Sequence, residues 1–138
     1  TLFPYTTLFR SLTNFDLRKV YNTKEMFFNC TRLKEIILPS LETKTLRFMS
    51  HMFYNCKELS SLDTSLISMT DILDMSYMFG KCSKLKYLNL TQFNTSKCEN
   101  FDNIFEDCKL TLLVDEKKSE NLISNIKENQ NVTIETIN

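Results

Sequence analysis

A single glycine, Gly80, leaves no room for the glycine-rich loops that cradle phosphate groups. With only two prolines beside it, the chain also lacks the residues that many tight hairpin turns require. One histidine, His51, provides no Cys–His or Ser–His pair to activate a nucleophile. No segment approaches the roughly 18 uninterrupted apolar residues of a membrane span. Net charge is missing as well. Seventeen basic residues balance 17 acidic ones, so bulk charge directs the chain toward neither nucleic acid nor an anionic membrane. Five cysteines, an odd number, exclude a complete intramolecular disulfide framework. Carboxylates are scattered at variable positions, with no converging pair. These absences point away from catalysis, and neither an enzyme nor a cofactor is expected. What remains is an ordinary globular composition, 42 % hydrophobic and 25 % charged, at a length that suits one domain.

A repeat organises the chain. Cys30, Cys56, Cys82 and Cys108 are spaced at 26 residues, and each ends a matching pentapeptide: MFFNC, MFYNC, MFGKC and IFEDC. Phe27, Phe53, Phe79 and Phe105 fall in register with them. So do Val20, Leu46, Ile72 and Cys98 upstream, and Leu33, Leu59 and Leu85 downstream. Ile36, Leu62 and Leu88 form a further column, and Phe15, Leu41, Ile67 and Phe93 recur between units.

Within one unit, Ile72, Met75, Met78, Phe79, Cys82 and Leu85 step by three and four, which predicts one face of a short helix. KYLNL then alternates, which predicts a half-buried strand. The expected fold is an α/β solenoid, a leucine-rich-repeat-like stack of about four 26-residue strand–turn–helix units over residues 12–114. Residues 115–138 are off-period and more polar, and predict a small C-terminal α+β cap. In it Ser119 would cap a helix carrying Leu122, Ile123 and Ile126, ahead of a strand with Val132 and Ile134. Two departures stand out. Thr64 occupies the apolar column of Leu38 and Leu90, and the last unit is short by one residue after Cys108.

The stretch MTDILDMSYMFGKCSKLKYLNLTQFNTSKCENF resembles the repeat of BspA-like leucine-rich repeat surface proteins, met also in mycoplasma lipoproteins. The resemblance runs from about Leu12 to Val114. It implies a cell-surface or secreted location and a role in adhesion to matrix proteins or other cells. The partner would be a protein ligand, of host or matrix origin, with no nucleic acid and no direct insertion into a membrane. The alternatives are a structural spacer and an intracellular interaction scaffold without its own ligand.

Site residues follow from the register. If binding occurs on the outward strand positions, it falls to Glu35, Ser61 and Tyr87 in one column and to Ile37, Asp63 and Asn89 in the next. The plain alternative is that these residues merely face solvent. The cysteine and phenylalanine columns are read as a structural ladder. Zinc needs ligands converging from short spacings, disulfides need strict geometry, and buried Cys behaves as a small hydrophobe. No metal site is expected. His51 shares its column with Glu25, Tyr77 and Asn103 and is expected to face solvent. Four N-x-S/T sequons, at Asn29, Asn89, Asn94 and Asn131, are ascribed to coincidence in a chain rich in Asn and Thr.

The opening stretch TLFPYTTLFRS has another character. Back-translated, all eleven residues resemble a widely used short-read sequencing adapter, so residues 1–11 are expected to be an assembly artefact. Authentic protein would then begin in mid-strand at Leu12, in phase with Leu38 and Leu90, and the natural chain would extend further N-terminally. Arg10 stands where Ile36, Leu62 and Leu88 place an apolar residue.

Overall fold

The computed structural model describes residues 9–14, 16–39, 41–65 and 67–138. In chain order its elements are β1 (Phe9–Ser11), β2 (Glu35–Ile37), β3 (Leu41–Thr43), β4 (Ser61–Leu62), β5 (Ile67–Met69), β6 (Tyr87–Asn89), β7 (Leu110–Asp115), α1 (Glu120–Ile126) and β8 (Val132–Ile137). Three small parallel sheets result, ordered β1-β2-β4, β3-β5 and β6-β7-β8. The repeat sets the register: Arg10 pairs with Ile36, Ile36 with Leu62, and Leu41 with Ile67.

The expected α/β solenoid of strand–turn–helix units is not what forms. The only helix among the described residues is α1, seven residues near the C-terminus. The segments predicted as helices are runs of turns. Within the first, Met26 N donates to Thr23 O, Phe28 N to Glu25 O and Cys30 N to Phe27 O, each spanning three residues. Glu25 and Asn29 hold φ of 58° and 61°, and the equivalents His51, Asn55, Tyr77, Lys81, Asn103 and Asp107 are also left-handed. A left-handed residue every four positions interrupts any α-helix. The amides freed in this way cross to the next unit. Thr23, Glu25, Phe27 and Asn29 donate to the carbonyls of Phe48, Ser50, Met52 and Tyr54 at 2.8–3.1 Å. The following two units repeat the pattern: His51 donates to Ser76 O at 2.9 Å, and Tyr77 to Asp102 O at 2.8 Å.

Short polar side chains replace glycine at the corners. Asn22, Asp74 and Asn100 accept the amide two residues on at 2.8–3.0 Å, Asp63 and Asn89 do the same at another corner, and Asn94 at a third. Such Asx turns are how a chain with one glycine makes so many bends.

The three-and-four spacing did mark which side chains turn inward. Ile72, Met75, Met78, Phe79, Cys82 and Leu85 are all buried. The Phe column forms a stack with ring centroids 5.3, 5.7 and 5.9 Å apart from Phe27 through Phe105. Parallel ring pairs of this kind add about 0.5–1.5 kcal/mol each beyond their buried area. Thr64 is buried too, and its hydroxyl donates to the Asn89 carbonyl, so the polar residue in an apolar column is satisfied.

At the C-terminal end the units shorten. Leu88 pairs with Leu112, 24 residues on, so the last unit has lost two residues after Cys108 rather than one. β7 and β8 pair in parallel over six residues with α1 between them as the crossover. Leu122 and Ile126 are the buried face of α1, but Ser119 makes no side-chain cap. Of the eleven residues expected to be an artefact, 1–8 lie outside the described residues, as does Phe15 of the apolar column, and Phe9–Ser11 form β1.

Candidate functional site

The six strand positions are held by different devices. Glu35 in β2 lies directly beside Ser61 in β4, and both are exposed. Ile37, at the end of β2, is 47 % exposed, and Tyr87, at the start of β6, is 50 % exposed. Large apolar side chains left this open on strands whose alternate residues, Ile36 and Leu88, are buried form the clearest contact surface on this face. Tyr87 pairs with Thr111 of β7 rather than with Ser61, because the ladder is interrupted between β4 and β6.

Asp63 and Asn89 serve the fold first. Asp63 Oδ1 accepts Ser65 N at 2.9 Å, and hydrogen bonding from Ser65 lowers its pKa below the usual carboxylate range. Asn89 Oδ1 accepts both Thr91 N and Thr91 Oγ1, at 2.9 and 2.8 Å. The structure therefore brings Glu35 and Ser61 together, leaves Ile37 and Tyr87 open, and ties Asp63 and Asn89 into corners.

The cysteines have a defined task. Cys56 Sγ donates to Phe27 O, Cys82 Sγ to Phe53 O and Cys108 Sγ to Phe79 O, at 3.0–3.2 Å. Each of these carbonyls already accepts the backbone amide that closes its own turn, so the thiol takes the second lone pair. The thiols thus link one unit to the next. Burial pushes Cys56 and Cys82 well up from the usual thiol range, and Cys98 and Cys108 up to about 11. Protonated, buried thiols are poor nucleophiles and poor metal ligands. All five cysteines are free, and no three potential ligands among His, Cys, Asp and Glu converge among the described residues.

The register also assembles an aromatic row that the sequence reading missed. Phe28 stacks on Tyr54 at 5.6 Å, and His51 on Tyr77 at 4.7 Å. His51 was expected to face solvent; instead it is half-buried between these rings, and its Nδ1 is buried without a hydrogen-bond partner. Gly80 follows Phe28 and Tyr54 in their column. A Cβ there would meet Tyr54 Cδ2 at 2.8 Å, so its absence lets the Tyr54 ring lie across the next unit. The Tyr54 hydroxyl then donates to Glu106 Oε2 at 3.1 Å, two units away. Lys81 Nζ sits 5.4 Å from the Tyr54 ring centre, and Tyr54 together with Glu106 raises its pKa. The signal was present in the paired columns 25/51/77 and 28/54/80. Its meaning depended on the turn geometry.

No helix among the described residues is long and apolar enough to cross a membrane. Neither a curated protein nor a solved structure matches the chain. A family model does, over residues 1–128. The chain belongs to the family described as Mycoplasma protein of unknown function, DUF285.

Proposed function

We propose that this chain is a non-catalytic repeat module of a surface protein of the BspA-like type, binding a protein ligand through its exposed strand face. Its place in a Mycoplasma family and the recurring 26-residue register support that reading. The observation that carries it is the open placement of Tyr87 and Ile37 on strands whose remaining outward positions are polar. A half-exposed tyrosine is the kind of residue that anchors protein interfaces. Glu35 and Ser61 supply hydrogen-bonding rim groups beside it, and Asp63 and Asn89 shape the corner from which the ligand is met.

The test is binding of the full chain to immobilised matrix proteins, measured beside a Tyr87→Ala/Ile37→Ser variant. Both residues are exposed, so the variant keeps the fold. Saturable binding that falls at least about tenfold in the variant supports the strand face. Binding that is unchanged in the variant places the ligand elsewhere, and an absence of binding to every protein offered favours a spacer.

A further inference from the structure

We propose that a second surface, bordering the strand face where Thr111 pairs with Tyr87, binds a linear anionic polysaccharide. It lies on the segments that join each cysteine to the following strand: TRLK at 31–34, KELS at 57–60, SKLK at 83–86, and then Lys109. These hold six cations, Arg32, Lys34, Lys57, Lys84, Lys86 and Lys109, all exposed, against one carboxylate, Glu58. Of these six, Lys84 alone lies within ion-pair distance of a carboxylate among the described residues, Glu58 at 2.7 Å. On a chain of zero net charge this is a marked local excess.

The register gives the excess a shape. Lys34 and Lys86 hold one position of the unit, and Lys57 and Lys109 another. Lys34 and Lys57 line one groove with Arg32, Thr31 and Glu58, whose carboxylate is paired with Lys84, and Lys86 and Lys109 line a second with Thr111 and Asn131. The same diagonal pair of lysines therefore occurs twice, two units apart, roughly 10 Å at the spacing of parallel strands. Serine stands between them in each column, at Ser60 and Ser83, so no two ammonium groups are stacked on adjacent units. The backbone beneath is fixed, with Ser60 N donating to Lys34 O at 3.0 Å and Thr111 N to Lys86 O at 2.9 Å.

Cations repeated at a fixed interval suit a polymer with anions at a fixed interval, and binding gains from counterion release. The rest of the lining names the polymer. Hydroxyl and amide groups of Thr31, Thr111, Gln130, Asn131 and Thr133 offer hydrogen bonds to sugar hydroxyls. No aromatic residue lines either groove, as base stacking in a nucleic acid would use, and the one apolar residue, Leu110, is buried. A protein ligand would find no apolar anchor there, and a bilayer no inserting side chain.

The experiment uses the full chain and heparin as the probe, by calorimetry at low and at raised salt. Binding at low salt that weakens steeply as salt rises is expected. Lys34→Ala/Lys57→Ala/Lys86→Ala/Lys109→Ala should weaken it at least about tenfold. Lys19→Ala/Lys24→Ala/Lys117→Ala/Lys127→Ala, with the same net charge, should stay within about twofold. Unchanged heparin binding in the Tyr87→Ala/Ile37→Ser variant would support a surface separate from the strand face. The proposal is overturned if the folded chain ignores heparin at low salt, or if both quadruple variants weaken alike. Stronger binding to polyglutamate, single-stranded DNA or anionic vesicles at equal charge would overturn it too.

Discussion

The two sides of each 26-residue unit cohere differently. On the turn side, amide-to-carbonyl bonds, the stacked phenylalanines and the thiol bonds run through all four units without a gap. On the strand side the ladders from β1 through β7 are two or three residues long and break between β4 and β6, where the Thr64 hydroxyl takes the Asn89 carbonyl. The difference teaches that the units are joined chiefly through their turns, which frees the strand face to vary. Phe79→Ala against Tyr87→Ala tests this most severely. Phe79 is fully buried between Phe53 and Phe105, so its loss should cost about 3–5 kcal/mol in urea unfolding. Tyr87→Ala, half-exposed, should stay within about 0.5 kcal/mol. Equal losses would mean that the two sides share the load.

Gly80 probes the same side from its outer row. Gly80→Ala brings a Cβ within 2.8 Å of the Tyr54 ring, which is already held by stacking on Phe28 and by the Lys81 ammonium. The ring must move and the Tyr54–Glu106 hydrogen bond goes with it. A cost of about 1–3 kcal/mol follows. In a Tyr54→Ala background the same substitution should be close to neutral. If the cost persists there, the clash is not with the ring.

These effects also show what the residues disclosed in advance. The columns Phe27/53/79/105 and Cys30/56/82/108 were legible because a fixed period keeps each side chain in one environment. Burial at three-and-four spacing was legible in Ile72 through Leu85 for the same reason. The backbone beneath was not. Inward spacing of three and four is common to a helix and to a chain of turns, and the choice lies in the φ of Glu25, Asn29 and their equivalents. Those residues are not glycine, so the usual marker of left-handed backbone was missing. His51 was misplaced for this reason: on a helix its column points outward, whereas a left-handed turn folds it against Tyr77. The lysine rows were likewise hidden by a balanced net charge, since alternation between units shows only once the units are laid side by side.

Alkaline pH acts on the turn side through its buried thiols, Cys56 and Cys82 as well as Cys98 and Cys108. Cys98 and Cys108 have folded pKa values raised to about 11 from about 9, mainly because burial disfavours the thiolate. With the folded value above the unfolded one, the native chain keeps protons that the unfolded chain sheds. Stability is then fully present below about pH 9 and declines toward pH 11. Allowing for partial solvent access, the loss by pH 10 is on the order of 1 kcal/mol. Thermal melts between pH 8 and pH 10.5 would check it, with Cys98→Val showing a shallower decline. An equally steep decline in that variant would assign the effect to other groups.

The smallest effect separates the two sides by sign. Glu25 and Glu35 are both exposed glutamates of the first unit, one in a turn at φ 58° and the other in β2. Glycine at position 25 removes the left-handed penalty of about 1–2 kcal/mol. It also loosens the unfolded chain, which takes back about half of that gain. The backbone bonds from Glu25 N to Ser50 O and from Phe28 N to Glu25 O are untouched, so a net stabilisation of roughly 0.5 kcal/mol is expected. At position 35 glycine meets no such penalty and only weakens the strand, so Glu35→Gly should destabilise by about 0.5–1 kcal/mol. One substitution with opposite signs, 10 residues apart, would locate the left-handed backbone in the turn side. The same sign at both positions would show that Glu25 does not hold a left-handed conformation in solution.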